Sequence, residues 1–170
     1  PVDLMDVAGL VPGAHEGKGL GNQFLDDLRQ ADVFIHVMDI SGSLNERGEP
    51  VDQGSYDPAK DIAFLEYELD MWYYGIINKG WEKFVRQFTI EKGDIVKAIT
   101  KQLSGLGVKE VHVKECIRGF DDDTRKWDYN TLRSLATKLR KRTKPMILAC
   151  NKIDVKSAHE NYERLRSQFK

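Results

Sequence analysis

Residues Pro145–Asp154, with the sequence PMILACNKID, decide the fold of this 170-residue chain. The first six, mostly apolar, predict a short buried strand, and the polar tetrapeptide Asn151–Asp154 follows it without a spacer. A helix is expected from about Ser157, with three apolar residues on one side, Tyr162, Leu165 and Phe169. Because ligands bind outside the carboxyl ends of the strands in open α/β sheets, we expect the tetrapeptide to face a ligand.

Two further strands are expected upstream, and each ends beside an acid. Val2–Val7 is a short apolar run with Asp6 where the strand meets a loop, and Ala31–Asp39 is a nearly continuous apolar run that ends in Asp39. Between them lie a glycine-rich loop over residues 8–21 and a helix marked by the spacing of Phe24, Leu25 and Leu28. A strand, a loop, a helix and a second strand form a βαβ unit, which implies a parallel sheet with covered faces.

The middle of the chain has a different character, with helical periodicity and no strand-like alternation. Asp57-Pro58 is a good helix start, because the acid suits the N-cap and proline suits the first turn. A stripe at steps of three and four follows and stops at Asn78-Lys79-Gly80; its members are Ile62, Leu65, Leu69, Trp72 and Ile76. Further helices are expected at Ile95–Leu103, Val108–Ile117 and Leu132–Leu139. We therefore predict that residues 1–40 and 143–170 form a partial α/β core and that residues 41–142 form an all-helical insertion.

Composition and charge exclude several classes of protein. Apolar residues make up 41% and charged residues 31% of the chain, which is typical of a globular protein rather than a disordered one. The net charge of -1 gives no general attraction to nucleic acid or membranes, so we expect no membrane partner and no specific DNA partner. The two cysteines, Cys116 and Cys150, are too few for a disulfide framework and lack metal-ligand spacing, which favours a cytoplasmic protein.

The tetrapeptide Asn151–Asp154 has the pattern N-K-x-D, which suits recognition of guanine. A carboxylate at Asp154 can accept hydrogen bonds from N1–H and the exocyclic amine of guanine together, whereas adenine has no such donor pair. The stem of Lys152 can lie over the base, and Asn151 can tie loops together. This pattern is expected about 0.02 times by chance in a chain of this length. The alternative is that Asp154 only caps the final helix.

Asp6-Val7-Ala8-Gly9 has the pattern D-x-x-G of a phosphate-sensing loop. An acid at this place in a nucleoside triphosphatase holds Mg²⁺, usually through water. Gly9 lets a backbone N–H approach the γ-phosphate, and the loop relaxes when that phosphate leaves. Alone the pattern is weak, since it arises by chance about once in a few hundred residues.

The phosphate-cradling pattern G-x-x-x-x-G-K-[S/T] is absent from the sequence. Because D-x-x-G precedes N-K-x-D, we expect this P-loop upstream of Pro1 in a longer protein, and a circular permutation is disfavoured. The 170 residues by themselves are therefore not expected to form a competent enzyme.

The segment Asp6–Leu25, DVAGLVPGAHEGKGLGNQFL, closely resembles the switch II segment of the Obg/YchF family of translation-factor-class GTPases. Asp61–Trp72, DIAFLEYELDMW, resembles the archaeal and eukaryotic-type YchF-related branch, which carries a helical insertion there. The resemblance spans essentially the whole chain. It implies a partial P-loop NTPase-like G domain: a parallel sheet with helices on both faces and an all-helical insertion.

The resemblance also implies roles for individual residues. It makes Asp6 the Mg²⁺-associated acid and includes Asp6, Ala8 and Gly9 among the nucleotide-binding residues. Asn151, Lys152 and Asp154 become the guanine readers. Some YchF-type relatives have lost N-K-x-D and prefer ATP; this chain keeps it, so GTP and GDP are the expected ligands.

The residue expected to orient the attacking water differs from that of Ras-like enzymes. Leu10 follows D-x-x-G where Ras-like enzymes carry a glutamine that orients water, and leucine can neither donate nor accept a hydrogen bond. The resemblance implies that the family shares this hydrophobic substitution, so hydrolysis must use another group, an added cation or a partner. His15 and Lys18 are polar residues of the same loop. The alternative, which we favour, is that both are solvated loop residues. His36, inside the second strand, is interpreted as a core histidine with satisfied hydrogen bonds.

Partners are suggested only by the resemblance. Members of the family usually continue into a TGS domain, and many associate with ribosomes. A basic cluster, Lys138, Arg140, Lys141, Arg142 and Lys144, is compatible with phosphate contact. The favoured reading is that these cations stabilise a helix C-terminus.

The leading hypothesis is a GTP-hydrolysing switch. The alternatives are a nucleotide-sensing, ribosome- or RNA-associated module with negligible turnover, and a structural helical adaptor in which N-K-x-D is coincidental.

Overall fold

The computed structural model describes residues 2–7, 10, 12–17, 27–91 and 93–169. These form two compact units. One comprises Pro1–Asp32 with Tyr67–Pro145, and the other comprises Val33–Glu66 with Met146–Lys170. The assignment of residues 41–142 to a separate insertion stays a prediction.

The second unit is built on a parallel sheet of two strands, β1 (Phe34–Asp39) and β2 (Met146–Asn151). Their register pairs Phe34 with Met146 and Asp39 with Asn151, so the strands end level with each other. Both strands and the parallel α/β architecture were expected from the sequence and are confirmed. The two apolar runs are far apart in the chain, and a crossover connection makes the parallel pairing possible.

One face of this sheet is buried. Met38, at the buried face of β1, belongs to a core completed by Ile40, Ile62, Ala158 and Leu165. On the opposite face Ile35, Val37 and Ile147 are exposed, at 54%, 64% and 57%. This alternation follows from the period of two along a strand. Within the described part of the chain, other residues pack against only one face of the sheet, whereas the sequence predicted packing on both faces.

The expected strand at Val2–Val7 is wrong. These residues have no regular secondary structure, and Val2 and Leu4 are 87% and 82% exposed. A strand is stable only where a neighbour pairs with its backbone and other residues cover its apolar side chains, and a six-residue pattern supplies neither. Asp6 therefore does not end a strand here.

The helix expected after the glycine-rich loop is described only in part. Leu28 is buried within helical residues 27–30, whereas Phe24 and Leu25 lie outside the described residues.

The helices are α1 (Ala59–Asn78), α2 (Trp81–Glu91), α3 (Ile95–Gln102), α4 (Glu110–Cys116), α5 (Tyr129–Thr143) and α6 (Ala158–Gln168). The predicted start of α1 is confirmed, because the Asp57 carboxylate accepts a hydrogen bond from the Ala59 amide at 3.0 Å. α1 also ends where predicted, before Gly80 at a φ of 77°. Sequence reasoning missed α2, although Trp81, Phe84, Val85 and Phe88 recur at helical spacing.

The first unit is held by buried contacts between α1 and α5. Asp70 accepts hydrogen bonds at 2.7 Å from both Arg140 and Thr137, and the Tyr73 hydroxyl lies 2.9 Å from that of Thr143. Trp72, Tyr73 and Trp81 are all buried, and Tyr74 is half-buried. None of the helices that the structure describes is long and apolar enough to cross a membrane.

Candidate functional site

The strand ends of the second unit bring together two of the predicted positions. Asp39 and Asn151 are register partners at the carboxyl ends of β1 and β2. The pairing continues one residue further, because the Ile40 amide donates to the Asn151 carbonyl at 3.1 Å. The N-K-x-D loop and the acid after β1 thus share one edge of the sheet, which is where a ligand is expected in an open α/β sheet.

Asp39 holds the lysine of the N-K-x-D loop. Its Oδ2 lies 3.0 Å from Lys152 Nζ and accepts from the Ser43 hydroxyl at 2.9 Å. Its Oδ1 accepts from the backbone amide and the hydroxyl of Ser41 at 3.0 and 2.5 Å. Desolvation opposes ionisation, but the hydrogen bonds from Ser41, Lys152 and Ser43 outweigh it and lower the pKa of Asp39 to about 2. A carboxylate with four donors is a fixed anchor for the lysine.

The loop after β1 is tied to the helix that follows the N-K-x-D loop. The Ser157 hydroxyl donates to the Ser41 carbonyl at 2.8 Å, and the Asn161 amide donates to the Ile40 carbonyl at 3.0 Å. Ser41 is fully buried. Gly42 adopts a φ of 62°, and a Cβ added there would lie 2.2 Å from the Tyr56 carbonyl oxygen. The backbone that carries Asp39 is therefore closely packed, which keeps Asp39 in place.

The N-K-x-D loop itself has an unusual backbone. Lys152 has a φ of 61°, and it is the only non-glycine residue with a positive φ in the described part of the chain. Asn151 Oδ1 accepts from the Lys152 amide at 2.9 Å, and the Lys152 carbonyl accepts from the Val155 amide at 3.1 Å. A non-glycine residue in this region costs of order 1–3 kcal/mol, and such strain tends to occur at functional sites.

The reading of Asp154 as a helix cap is not supported. The N-cap of α6 is Ser157, three residues further on. Asn151 and Asp154 are both exposed at the sheet edge. These two side chains are thus accessible to a ligand, while the ammonium group of Lys152 is bound by the Asp39 carboxylate.

Replacing Asp39 with asparagine is expected to lower the free energy of unfolding at pH 7 by about 2 kcal/mol, since charge-assisted hydrogen bonds are lost. The pKa of Asp39 is depressed in the folded state from 3.8 to about 2. Its contribution is therefore present above the unfolded-state pKa and is lost as the pH falls towards the folded-state pKa. Thermal unfolding should accordingly show the two proteins converging as the pH is lowered from 3.8 to about 2.

Asp52→Asn is a matched control in the same unit, because Asp52 is exposed. It should change stability by less than about 0.5 kcal/mol. An Asp39→Asn protein as stable as the wild type at pH 7 would contradict the anchoring role of Asp39.

The described residues of the D-x-x-G segment and of the turn after it belong to the first unit. Asp6 is exposed and Leu10 is half-buried, whereas Ala8, Gly9 and Lys18 lie outside the described residues. The interpretation of His15 as a solvated loop residue is wrong. Its side chain is 14% exposed, and Nδ1 lies 2.6 Å from the carboxylate of Glu68 on α1.

His36 is not the satisfied core histidine that was expected. Its ring is half-buried in β1, and Nδ1 has no hydrogen-bond partner among the residues that the structure describes. Burial lowers the pKa of His36, and the charge of Asp61 opposes this shift. Alternation along a strand assigns a face but does not provide a hydrogen-bond partner.

Two cations of the basic cluster at the end of α5, Arg140 and Lys144, are buried, whereas Lys138, Lys141 and Arg142 are exposed. Arg140 is buried against Asp70, and Lys144 is buried with its ammonium group donating to the carbonyls of Arg29 and Ala31. Arg142 contacts Glu115 at 2.5 Å. The favoured reading, cations at a helix C-terminus, agrees with the last turn of α5.

Sequence reasoning missed the contacts of several residues in the two units. Ser41 and Ser43 follow Asp39 at alternate positions, and this short hydroxyl-rich run after a strand-terminal acid was an available signal. No sequence signal was available for three others, because each contacts a segment more than 50 residues away in the chain: Ser157, Asn161 and Glu68.

No family model matches this chain. An uncharacterized GTP-binding protein of Methanocaldococcus jannaschii is 53% identical over 170 residues, which is 100% of this chain and 42% of that protein. One of Schizosaccharomyces pombe is 39% identical over 167 residues, 97% of this chain and 40% of that protein. The chain thus spans about two fifths of the length of these relatives.

Two further similarities concern a shorter segment and a solved structure. The ribosome-binding ATPase YchF of Buchnera aphidicola is 41% identical over 68 residues, 40% of this chain and 18% of that protein. The crystal structure of a GTP binding protein from Pyrococcus horikoshii is 39% identical, with a TM-score of 0.78. The similarity covers 85% of this chain and 43% of that one.

Proposed function

Because the chain belongs to the Obg/YchF-type family of GTP-binding proteins, we propose that it carries the guanine-reading part of a GTP-hydrolysing switch. The observation that supports this most directly is the loop Asn151–Asp154. It follows a parallel strand at the edge shared with Asp39, has its lysine anchored, and leaves Asn151 and Asp154 exposed.

In this proposal each residue of the loop has a separate task. Asp154 accepts hydrogen bonds from N1–H and the exocyclic amine of guanine, and such a bidentate contact is worth about 1–3 kcal/mol of discrimination. Lys152 places its aliphatic stem against the base while Asp39 holds its ammonium group. Asn151 fixes the turn through the Lys152 amide. The preference for GTP over ATP then rests on Asp154.

Asp6 is the proposed Mg²⁺-associated acid. Among the described residues there is no group of three or more His, Cys, Asp or Glu side chains able to hold a metal. One exposed carboxylate is nevertheless a suitable donor, because Mg²⁺ commonly keeps several waters and takes one or two protein carboxylates plus substrate phosphates. The ion, when bound, would neutralise charge on the phosphates. Asp6 would orient it through water, and Gly9 would offer its amide to the γ-phosphate.

The proposed reaction is hydrolysis of GTP to GDP and phosphate. The oxygen of water forms a bond to the γ-phosphorus, the bond from that phosphorus to the β,γ-bridging oxygen breaks, and the proton of water passes to phosphate or solvent. Leu10 cannot orient this water. Another group, an added cation or a partner must therefore do so, and His15 is the described candidate in the same segment.

The test is a titration of GTP and of ATP, each with Mg²⁺, into the full-length protein. The proposal requires GTP to bind at least about tenfold more tightly than ATP, in line with a bidentate base contact. Equal affinity for the two nucleotides, or a preference for ATP, would show that Asn151–Asp154 does not read the base.

A second candidate function is a nucleotide-sensing module with negligible turnover, and Leu10 is the observation that favours it. One relative is named a ribosome-binding ATPase, so we propose ribosomes as the partner to test. Phosphate release by the full-length protein, measured with and without ribosomes, separates the two functions. GTP binding with no release in either condition favours the module.

A further inference from the structure

Glu68 is a buried carboxylate on α1 that accepts hydrogen bonds from the segment after D-x-x-G. The residue is 2% exposed. Its Oε1 accepts from the Gly13 amide at 2.9 Å, and its Oε2 accepts from the His15 amide at 3.1 Å and lies 2.6 Å from His15 Nδ1. A single side chain thus binds two backbone amides and one ring of a segment more than 50 residues away in the chain.

The charge of Glu68 makes these contacts specific. Burial by itself would raise the pKa of the Glu68 carboxyl, but the hydrogen bonds from Gly13 and His15 outweigh it and keep the pKa below its ordinary value. A buried carboxylate without such donors is costly. If residues 12–17 moved away, Glu68 would lose these donors, so the ionised side chain favours the bound arrangement of the segment.

The segment held by Glu68 is a compact turn. Residues Ala14–Glu16 form a short 3-10 turn between Gly13 and Gly17, which have φ angles of 83° and 86°. Ala14 is fully buried. A β-carbon at either glycine would strain the backbone, because both occupy the left-handed region. The turn therefore presents the Gly13 amide and the His15 amide and ring to one acceptor.

Neighbouring residues of the first unit support the contact between Glu68 and His15. The His15 ring packs edge-to-face against Tyr67, with ring centroids 5.8 Å apart. The guanidinium of Arg133 on α5 lies 5.7 Å from the centroid of the Tyr67 ring on α1. His15 is thus oriented by its contacts with α1, and α5 supports α1 at that place.

We propose that Glu68 is a positioning residue for GTP hydrolysis, which acts through His15 and the Gly13 amide to hold residues 12–17 in the geometry that the reaction needs. The inference rests on the proposed function, because it assigns a role in that reaction. It also assigns a task to the helices: α1 fixes the segment that follows the phosphate-sensing loop.

The experiment compares three variants of the full-length protein with the wild type. Glu68→Gln keeps the size of the side chain and removes its charge. His15→Ala removes the ring from a partly exposed residue and leaves α1 intact. Asp70→Asn is the matched control, because Asp70 is a second carboxylate of α1 with low exposure, and it contacts Arg140 and Thr137 instead of residues 12–17.

We expect Glu68→Gln and His15→Ala each to lower kcat for GTP hydrolysis by about 10–100-fold, which is typical when a reacting geometry is displaced by about an ångström. Affinity for GTP should stay within about threefold of wild type, since neither residue belongs to the guanine-reading loop. The double variant should be no slower than the slower single variant, because both changes break one interaction. Asp70→Asn should keep kcat within about threefold.

Amide hydrogen exchange of the nucleotide-free protein is a second readout that does not depend on turnover. The amides of residues 13 and 15 should exchange faster in Glu68→Gln than in the wild type. In Asp70→Asn their exchange rates should equal those of the wild type. The proposal is overturned if Glu68→Gln leaves exchange or kcat unchanged, or if Asp70→Asn lowers kcat equally. If the wild-type protein does not bind GTP, the proposed function fails; faster exchange in Glu68→Gln would then still establish the contact but not the role in hydrolysis.

Discussion

Asp154→Asn is expected to weaken GTP binding by the full-length protein by about 5–150-fold, the equivalent of 1–3 kcal/mol for a lost bidentate base contact. The same change should favour xanthosine triphosphate, because xanthine carries a carbonyl where guanine has its amine and the new amide can donate to it. Titration of both nucleotides into wild type and variant measures the effect. The preference should reverse rather than simply disappear.

Glu160→Gln is the matched control for this experiment. Glu160 is an exposed acid in the first turn of α6, close in the chain to Asp154, so its replacement removes a negative charge near the same helix N-terminus. It should leave the affinities for both nucleotides within about twofold. If Asp154→Asn also left the base preference unchanged, the role assigned to Asp154 would have to be withdrawn.

Gly42→Ala is expected to destabilise the protein by about 3 kcal/mol or more. Two effects combine there: a φ of 62°, which L-residues rarely adopt, and a Cβ only 2.2 Å from the Tyr56 carbonyl oxygen. The backbone must shift to relieve such an overlap, and this adds an overpacking cost to the conformational strain. Because Gly42 lies three residues after Asp39, the variant should also bind GTP more weakly. Chemical denaturation followed by a nucleotide titration measures both.

Gly48→Ala separates the two contributions. Gly48 has a similar φ of 74°, but a Cβ at this position would have no atom within 4 Å. It should therefore cost only the backbone strain, about 1 kcal/mol. Equal destabilisation by the two variants would mean that the close approach at Tyr56 has no energetic consequence.

The strands and most helices could be predicted because their signals are local. Phe34–Asp39 and Met146–Asn151 are apolar runs that end in polar residues, and the periodicity of α1 begins at an acid-proline pair. The same kind of signal was misleading at Val2–Val7. An apolar run records the tendency of residues to be buried, whereas a strand also needs a partner backbone.

The candidate site, too, could be predicted from the sequence only in part. The pattern N-K-x-D could be found in the sequence because guanine recognition needs certain side chains at a fixed short spacing. What orients them could not be found. Asp39 and Lys152 are 113 residues apart in the chain, and Glu68 and His15 are 53 apart.

The sequence by itself determined the α/β class, the parallel strands, the helical middle and the position of the N-K-x-D loop directly after a strand, because each is encoded by neighbouring residues. Only the tertiary structure decided that Asp39 anchors Lys152, that Arg140 and Lys144 are buried partners rather than a basic patch, and that His15 is held by α1. The physical reason is that a charged side chain becomes an anchor only when folding removes it from water and places donors around it. That placement depends on long-range contacts, which no short stretch of sequence contains.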